Sequence, residues 1–142
     1  MSLFIVDASV VLKWFLPEED SDAALRLLER EKRFLVPGHL LAETTNAVWK
    51  RVRLHHFSIA RGYEVVEKIG RTAVTFDVIS CRDLAADAYK LAVAYDRSVY
   101  DAMYLALAMR RNSRLITADR RLYNAVAAAP EIGPHIQSLR DY

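Results

Sequence analysis

Four acids stand out in this 142-residue chain, each where a strand would end or a helix begin: Asp7, Glu43, Asp101 and Asp119. Asp7 closes the apolar run Leu3-Phe4-Ile5-Val6, and Asp119 comes two residues after Leu115-Ile116-Thr117. Asp101 opens a segment, Ala102 to Met109, that is apolar nearly all round, and Glu43 lies among Leu40, Leu41, Ala42 and Ala47. Each has an ordinary structural use. Asp7 and Asp119 suit helix N-caps worth about 1 kcal/mol. Ser98-x-x-Asp101 resembles a capping box with Asp in place of Glu, and a first-turn acid such as Glu43 gains under about 1 kcal/mol from the helix dipole. Taken together they suggest more, because carboxylates converging on one place repel unless a cation sits among them. All-oxygen ligation suits a hard ion such as Mg²⁺ or Mn²⁺ rather than zinc. A metal so held polarises phosphate oxygens and orients an in-line attack by water.

Competing chemistries lack their parts. Ser9, Thr117 and the single cysteine, Cys81, have no histidine at a motif spacing. His39, His55, His56 and His135 form no metal-ligand pattern and read as surface or satisfied residues. No glycine-rich phosphate loop is present, which argues against a nucleoside triphosphatase.

The elements that must position the acids alternate. Leu3–Val6 reads as a strand buried on both faces, followed by an apolar segment Val10–Leu16 that stops at Pro17. A helix carrying Ala24, Leu25, Leu27 and Leu28 comes next, then a strand at Phe34–Val36. Helices are expected over Leu40–Leu54 and Ser58–Arg71, the second capped by Ser58 and ending near Gly70. Val74–Ile79 is β-rich, Asp83–Tyr95 is an amphipathic helix, and another helix starts at Ser98 and runs to about Arg111. Arg114–Thr117 reads as a strand, Asp119 onward as a helix, and His135–Leu139 as a last short strand. Such alternation predicts an α/β domain with a mostly parallel sheet. Ligands in these sheets sit outside the carboxyl edge of the strands, where Asp7 and Asp119 fall.

Composition narrows the class. The length fits one domain; Gly 4, Pro 4 and 53% hydrophobic residues exclude disorder and linker-rich arrays. One cysteine excludes a disulfide framework and suits a reducing cytoplasm. The N-terminus, Met1-Ser2-Leu3-Phe4, lacks a basic leader, and no apolar stretch approaches the about 20 residues of a membrane span. A net charge of +2 argues against holding nucleic acid by bulk basicity. Its distribution is uneven: between Arg97 and Tyr123, Arg97, Arg110, Arg111, Arg114, Arg120 and Arg121 are set against only Asp101 and Asp119, and Lys50, Arg51 and Arg53 follow Glu43 on its helix. Lys50, Arg51, Arg120 and Arg121 are candidates for contacts to the phosphates of an anionic substrate, though a solvated basic face is the ordinary alternative for any one of them. The acidic run Glu18–Asp22 reads as solvent-facing. Trp14, Phe15, Trp49 and Phe57 are either interface anchors or core, with burial trends favouring core.

Four blocks in order carry a family resemblance: Phe4-Ile5-Val6-Asp7-Ala8-Ser9, Leu41-Ala42-Glu43-Thr44-Thr45-Asn46, Tyr100-Asp101-Ala102-Met103-Tyr104-Leu105-Ala106 and Leu115-Ile116-Thr117-Ala118-Asp119-Arg120-Arg121-Leu122. With them the sequence resembles the PIN-domain family, and within it the VapC-type toxin ribonucleases of type II toxin–antitoxin systems. The resemblance implies a single three-layer α/β/α PIN-like domain over residues 1–142 and Mg²⁺-dependent endoribonuclease activity, with Mn²⁺ a substitute. It makes Asp7 and Asp101 the principal metal ligands, with Glu43 and Asp119 acting through bound water and one of them helping to deprotonate the attacking water. Ser9, Asn46 and Thr117 match polar positions that line the family's pocket. The implied partners are RNA, a cognate antitoxin docked at the active-site groove, and a second copy in a homodimer. Residues 58–82 and 125–130 carry no family motif, leaving substrate choice and partner binding open. Two rivals remain. A receiver-like phosphotransfer domain would place a second acid beside or two after the first-strand Asp, where this chain has Ala8 and Ser9. The other is a catalytically inactive RNA- or protein-binding module on the same fold.

Overall fold

The computed structural model describes residues 3–142; Met1 and Ser2, on which part of the expectation about a basic leader rested, lie outside the described residues. Five short strands, β1 (Ile5–Val6), β2 (Leu35–Pro37), β3 (Asp77–Ile79), β4 (Leu115–Thr117) and β5 (Ile136–Ser138), form one sheet in the order β3-β2-β1-β4-β5. Every pairing is parallel, with Ile5 in register with Leu35 on one side and Leu115 on the other. Parallel strands need crossovers, and helices supply them. They are α1 (Ala8–Phe15), α2 (Ser21–Glu31), α3 (Leu40–Arg53), α4 (Ile59–Ala73), α5 (Cys81–Tyr95), α6 (Val99–Arg110) and α7 (Arg120–Val126). Helices α1 to α4 pack on one another, and α5 packs along α6, so the sheet lies between helical layers.

The central strands are apolar because both faces are covered. Ile5, Val6, Leu115 and Ile116 are fully buried, amid Val10, Leu27, Phe34, Leu105, Leu107 and Leu122. A second cluster, Leu12, Leu16, Val48, Val65 and Ile69, joins α1, α3 and α4. There α4 comes close to α3 at Gly62, where a Cβ would stand 2.9 Å from a methyl of Val52. Trp14 is core, its indole N–H donating to the Ala24 carbonyl at 2.8 Å and tying α1 to α2. Phe15 and Phe57 are half-buried, whereas Trp49 is 53% exposed.

Several boundaries differ from the sequence reading. The third strand is confined to Asp77–Ile79, because the turn bonds Thr75 N–H to Thr72 and Phe76 N–H to Ala73 continue past the end of α4. Helix α4 itself runs through Gly70 to Ala73: nothing lies within 4 Å of a Cβ there, and no left-handed turn is needed. The last strand is trimmed on both sides by 3₁₀ turns at Gly133–His135 and Leu139–Asp141. Among the described residues no helix is long and apolar enough to cross a membrane.

Candidate active site

The strand order reverses between β1 and β4, and in open parallel sheets the crevice at that point is the ligand site. Asp7 follows β1 directly and Asp119 follows β4 by two residues, so the first and fourth acids flank this reversal. Both serve as N-caps as well: Asp7 accepts from Val10 N–H at 3.3 Å and Asp119 from Leu122 N–H at 3.1 Å. Glu43 arrives from the first turn of α3, after β2. Asp101 comes from the first turn of α6, whose N-cap Ser98 accepts from the Asp101 N–H at 3.1 Å. The capping roles foreseen in the sequence are therefore real, and they aim the same side chains at one edge.

Asp7 is the most constrained of the four. It is buried, and its two oxygens accept from the Ser9 hydroxyl and the Thr117 hydroxyl, each at 2.5 Å. Ser9 in turn accepts from Ala118 N–H at 3.0 Å, and Thr117 from Asp119 N–H at 3.0 Å. A short network thus locks β1 to the β4–α7 turn. Burial pushes the Asp7 carboxyl up to about 6 against the lowering effect of those hydrogen bonds, and the nearby Asp119 charge adds to the rise. Asp101 is also raised, by burial first and then by the charges of Asp119 and Glu43, with Arg97 opposing. Glu43 goes the other way. Burial works to raise it, but hydrogen bonds with His39 and Tyr104 hold it below the ordinary glutamate value.

Two neighbours of Glu43 were invisible as site residues in the sequence. Tyr104, from α6, donates its hydroxyl to Glu43 Oε1 at 2.6 Å. Burial and the charges of Glu43, Asp7 and Asp101 lift the Tyr104 phenol far above its usual range, so it stays a donor. His39 places Nε2 3.1 Å from Glu43 Oε1 and 3.0 Å from the Tyr100 carbonyl. The only sequence cues were a histidine four residues before a glutamate and a tyrosine three after an aspartate.

The other predicted residues divide. Ser9 and Thr117 touch Asp7, whereas Asn46 is exposed one turn beyond Glu43 and makes no hydrogen bond with the four acids among the described residues. Lys50 and Arg121 are exposed. Arg51 is instead paired with Glu18 at 2.7 Å, and Arg120 with Glu19 at 3.0 Å. This corrects the reading of Glu18–Asp22 as a solvent-facing run. Glu18 also meets Lys13 at 3.5 Å, Glu19 also meets Arg140, and Asp20 meets Arg140 at 3.0 Å, so that Glu19 and Asp22 are exposed while Glu18 and Asp20 are half-buried.

The acids are electrostatic neighbours rather than a closed ligand shell. Asp7 feels Asp119, and Asp101 feels both Asp119 and Glu43. Among the described residues, no three His, Cys, Asp or Glu side chains stand close enough to hold an ion between them as they lie.

Comparison with known proteins decides the lineage. The PIN domain model matches residues 4–128, which contain all four acids. The chain belongs to the PIN-domain family. Ribonuclease VapC3 of Pyrobaculum aerophilum is 30% identical over 118 residues, spanning 83% of this chain and 90% of that protein. Among solved structures, a toxin–antitoxin complex from Klebsiella pneumoniae shares the fold at a TM-score of 0.69 and 18% identity, covering 97% of this chain and 98% of the other. VapC20 of Mycobacterium tuberculosis, named a sarcin–ricin loop cleaving toxin, aligns at 0.67 and 18% identity over 87% and 95% of the two chains. This PIN domain therefore has the three-layer architecture expected from its sequence, with a sheet that is parallel throughout.

Proposed function

We propose that this PIN domain is a divalent-metal-dependent endoribonuclease of the VapC type, restrained by a cognate antitoxin. One observation carries the reading: Asp7 is buried at the strand-order reversal, with its carboxyl raised to about 6 and Asp119 and Asp101 in electrostatic reach. A protein that gathers such charge with no lysine or arginine paired to Asp7 among the described residues is arranged for a cation. The donor chemistry fits Mg²⁺, with Mn²⁺ a substitute, since the four acids offer carboxylate oxygens. Asp7 and Asp101 would hold the ion directly, and Glu43 and Asp119 through bound water. When bound, the ion neutralises phosphate charge and lowers the pKa of a coordinated water.

The chain's own residues do the rest. Ser9 and Thr117 fix both Asp7 oxygens, so that carboxylate cannot swing away. Tyr104 and His39 keep Glu43 ionised and pointed, ready with Asp119 as the pair from which the water's proton acceptor is drawn. Exposed Lys50 and Arg121 offer phosphate contacts at the rim. The name of the VapC3 relative supports the ribonuclease reading, and the Klebsiella pneumoniae toxin–antitoxin complex supports an antitoxin partner. A homodimer belongs to the same reading.

The test is cleavage of a broad RNA panel with Mg²⁺ or Mn²⁺, beside Asp101→Asn. Wild type should cut and the variant should lose at least about 100-fold in rate with its fold intact. Expression of wild type should arrest growth, and Asp101→Asn should relieve it. RNA bound tightly but left uncut with either metal would instead mark a binding module.

A further inference from the structure

His39 occupies the N-cap of α3, yet its side chain makes no cap hydrogen bond. Ser, Thr, Asp or Asn would serve there better. The imidazole is used elsewhere. Nε2 faces two acceptors, Glu43 Oε1 at 3.1 Å and the Tyr100 carbonyl at 3.0 Å, so this nitrogen carries the proton, hydrogen-bonded to the carbonyl and within ion-pair distance of the carboxylate. In the neutral ring Nδ1 is then left as the acceptor, 3.7 Å from the Cys81 thiol. The ring lies 4.8 Å from the Tyr104 ring, and the side chain is only 12% exposed.

These contacts join the N-terminal ends of three helices: α3 at His39, α5 at Cys81 and α6 at Tyr100. Tyr100 is the residue before Asp101. Elsewhere the two acids are linked through Tyr104, whose hydroxyl holds Glu43 from one turn further along α6. We propose that His39 is a positioning residue that sets the separation of Glu43 and Asp101, by bridging the Glu43 carboxylate to the backbone next to Asp101. The nuclease reading supplies the purpose of that separation; the bridge itself stands on the contacts alone.

The test compares His39→Leu, which fills the space without a donor, and His39→Gln, which offers an amide N–H near the position of Nε2. Three quantities are read: kcat and KM for Mn²⁺-supported RNA cleavage, Mn²⁺ affinity by calorimetry, and the Glu43 position in metal-free crystals. Loss of such a supporting contact costs about 10–100-fold in metal affinity or rate. His39→Leu should therefore lose kcat and Mn²⁺ affinity within that range at nearly constant KM, with Glu43 displaced relative to Asp101, and His39→Gln should restore most of both. Leucine leaving Glu43 in place and the rate unchanged would overturn the proposal. So would glutamine failing as badly as leucine, with both losses following a fall in Tm. If wild type proves inert toward RNA, the nuclease reading falls, and the crystals still decide the bridge: displacement by leucine and restoration by glutamine uphold it, an unmoved Glu43 ends it.

Discussion

Burial sets the behaviour of Asp7 in water without metal. Its folded carboxyl titrates near 6 instead of 3.8, so between those values the folded chain holds a proton that the unfolded chain has released. Stability from this group is therefore greatest at low pH and falls as pH rises through about 4 to 6, by roughly 3 kcal/mol in all. Glu43, lowered, contributes with the opposite sign, its share being lost as pH falls. Urea titrations of metal-free wild type and Asp7→Asn separate the two: the variant's advantage should grow across that window and level off above it. Added Mg²⁺ at pH 8 should raise the stability of wild type more than that of the variant. Tyr104→Phe removes only the hydroxyl that holds Glu43. It should cost about 1 kcal/mol in urea midpoint analysis and slow cleavage at least about tenfold. Neither Tyr104 nor His39 was legible as a site residue, because their shared acid lies 61 positions from the tyrosine and nothing local marks the pair. Asp7 and Asp119 were legible because a single charge ending a run of β-branched residues is a local signal.

Helix starts hold the acids, Asp7 and Asp119 as N-caps and Glu43 and Asp101 within first turns, and such starts carry local sequence signals. Each of Asp7, Asp101 and Asp119 is at or within the first turn of a helix whose start is chemically marked, by Asp7 itself, by Ser98 and by Asp119 itself. Ser98→Ala should cost about 1 kcal/mol in thermal or urea unfolding. Because the lost acceptor serves the Asp101 N–H, the variant should also lower cleavage rate more than another cap of equal worth, such as Ser58→Ala on α4. Less legible were the ends of α4 and β3. Gly70 looked like a stop, but a glycine in a half-buried, unstrained position simply continues the helix. The β-branched residues Val74 and Thr75 looked like strand and instead form the turn after α4, where Val74 is 84% exposed. Propensity yields there to the need to bring β3 alongside β2 at Leu35–Pro37.

At the scale of the molecule, charge is allocated rather than spread. Glu18, Glu19 and Asp20 hold Lys13, Arg51, Arg120 and Arg140, drawing α1, α3, α7 and the C-terminal turn together. Composition could not show this, since the partners of Glu19 lie 101 and 121 positions away. The Glu19 pairs are exposed, and such pairs are worth little to stability, at most about 1 kcal/mol each. Their removal should show mainly in binding: Glu18→Gln with Glu19→Gln frees Arg51 and Arg120, and should tighten RNA binding and steepen its dependence on salt, measured by fluorescence anisotropy. The strand order has a different reach. Asp7 is made early relative to its partners, and the hydroxyl that grips its second oxygen belongs to Thr117, 110 positions later. Strand β1 is two residues long and closes the sheet only when β4 has arrived beside it. A ribosome that has passed Glu43 and not yet reached Asp101 thus carries a chain with Asp7 and Glu43 but without Asp101, Asp119 or the threonine clasp. Synthesis keeps the first acid apart from its clasp until β4 and the turn after it have been made, a delay written into the order of the strands.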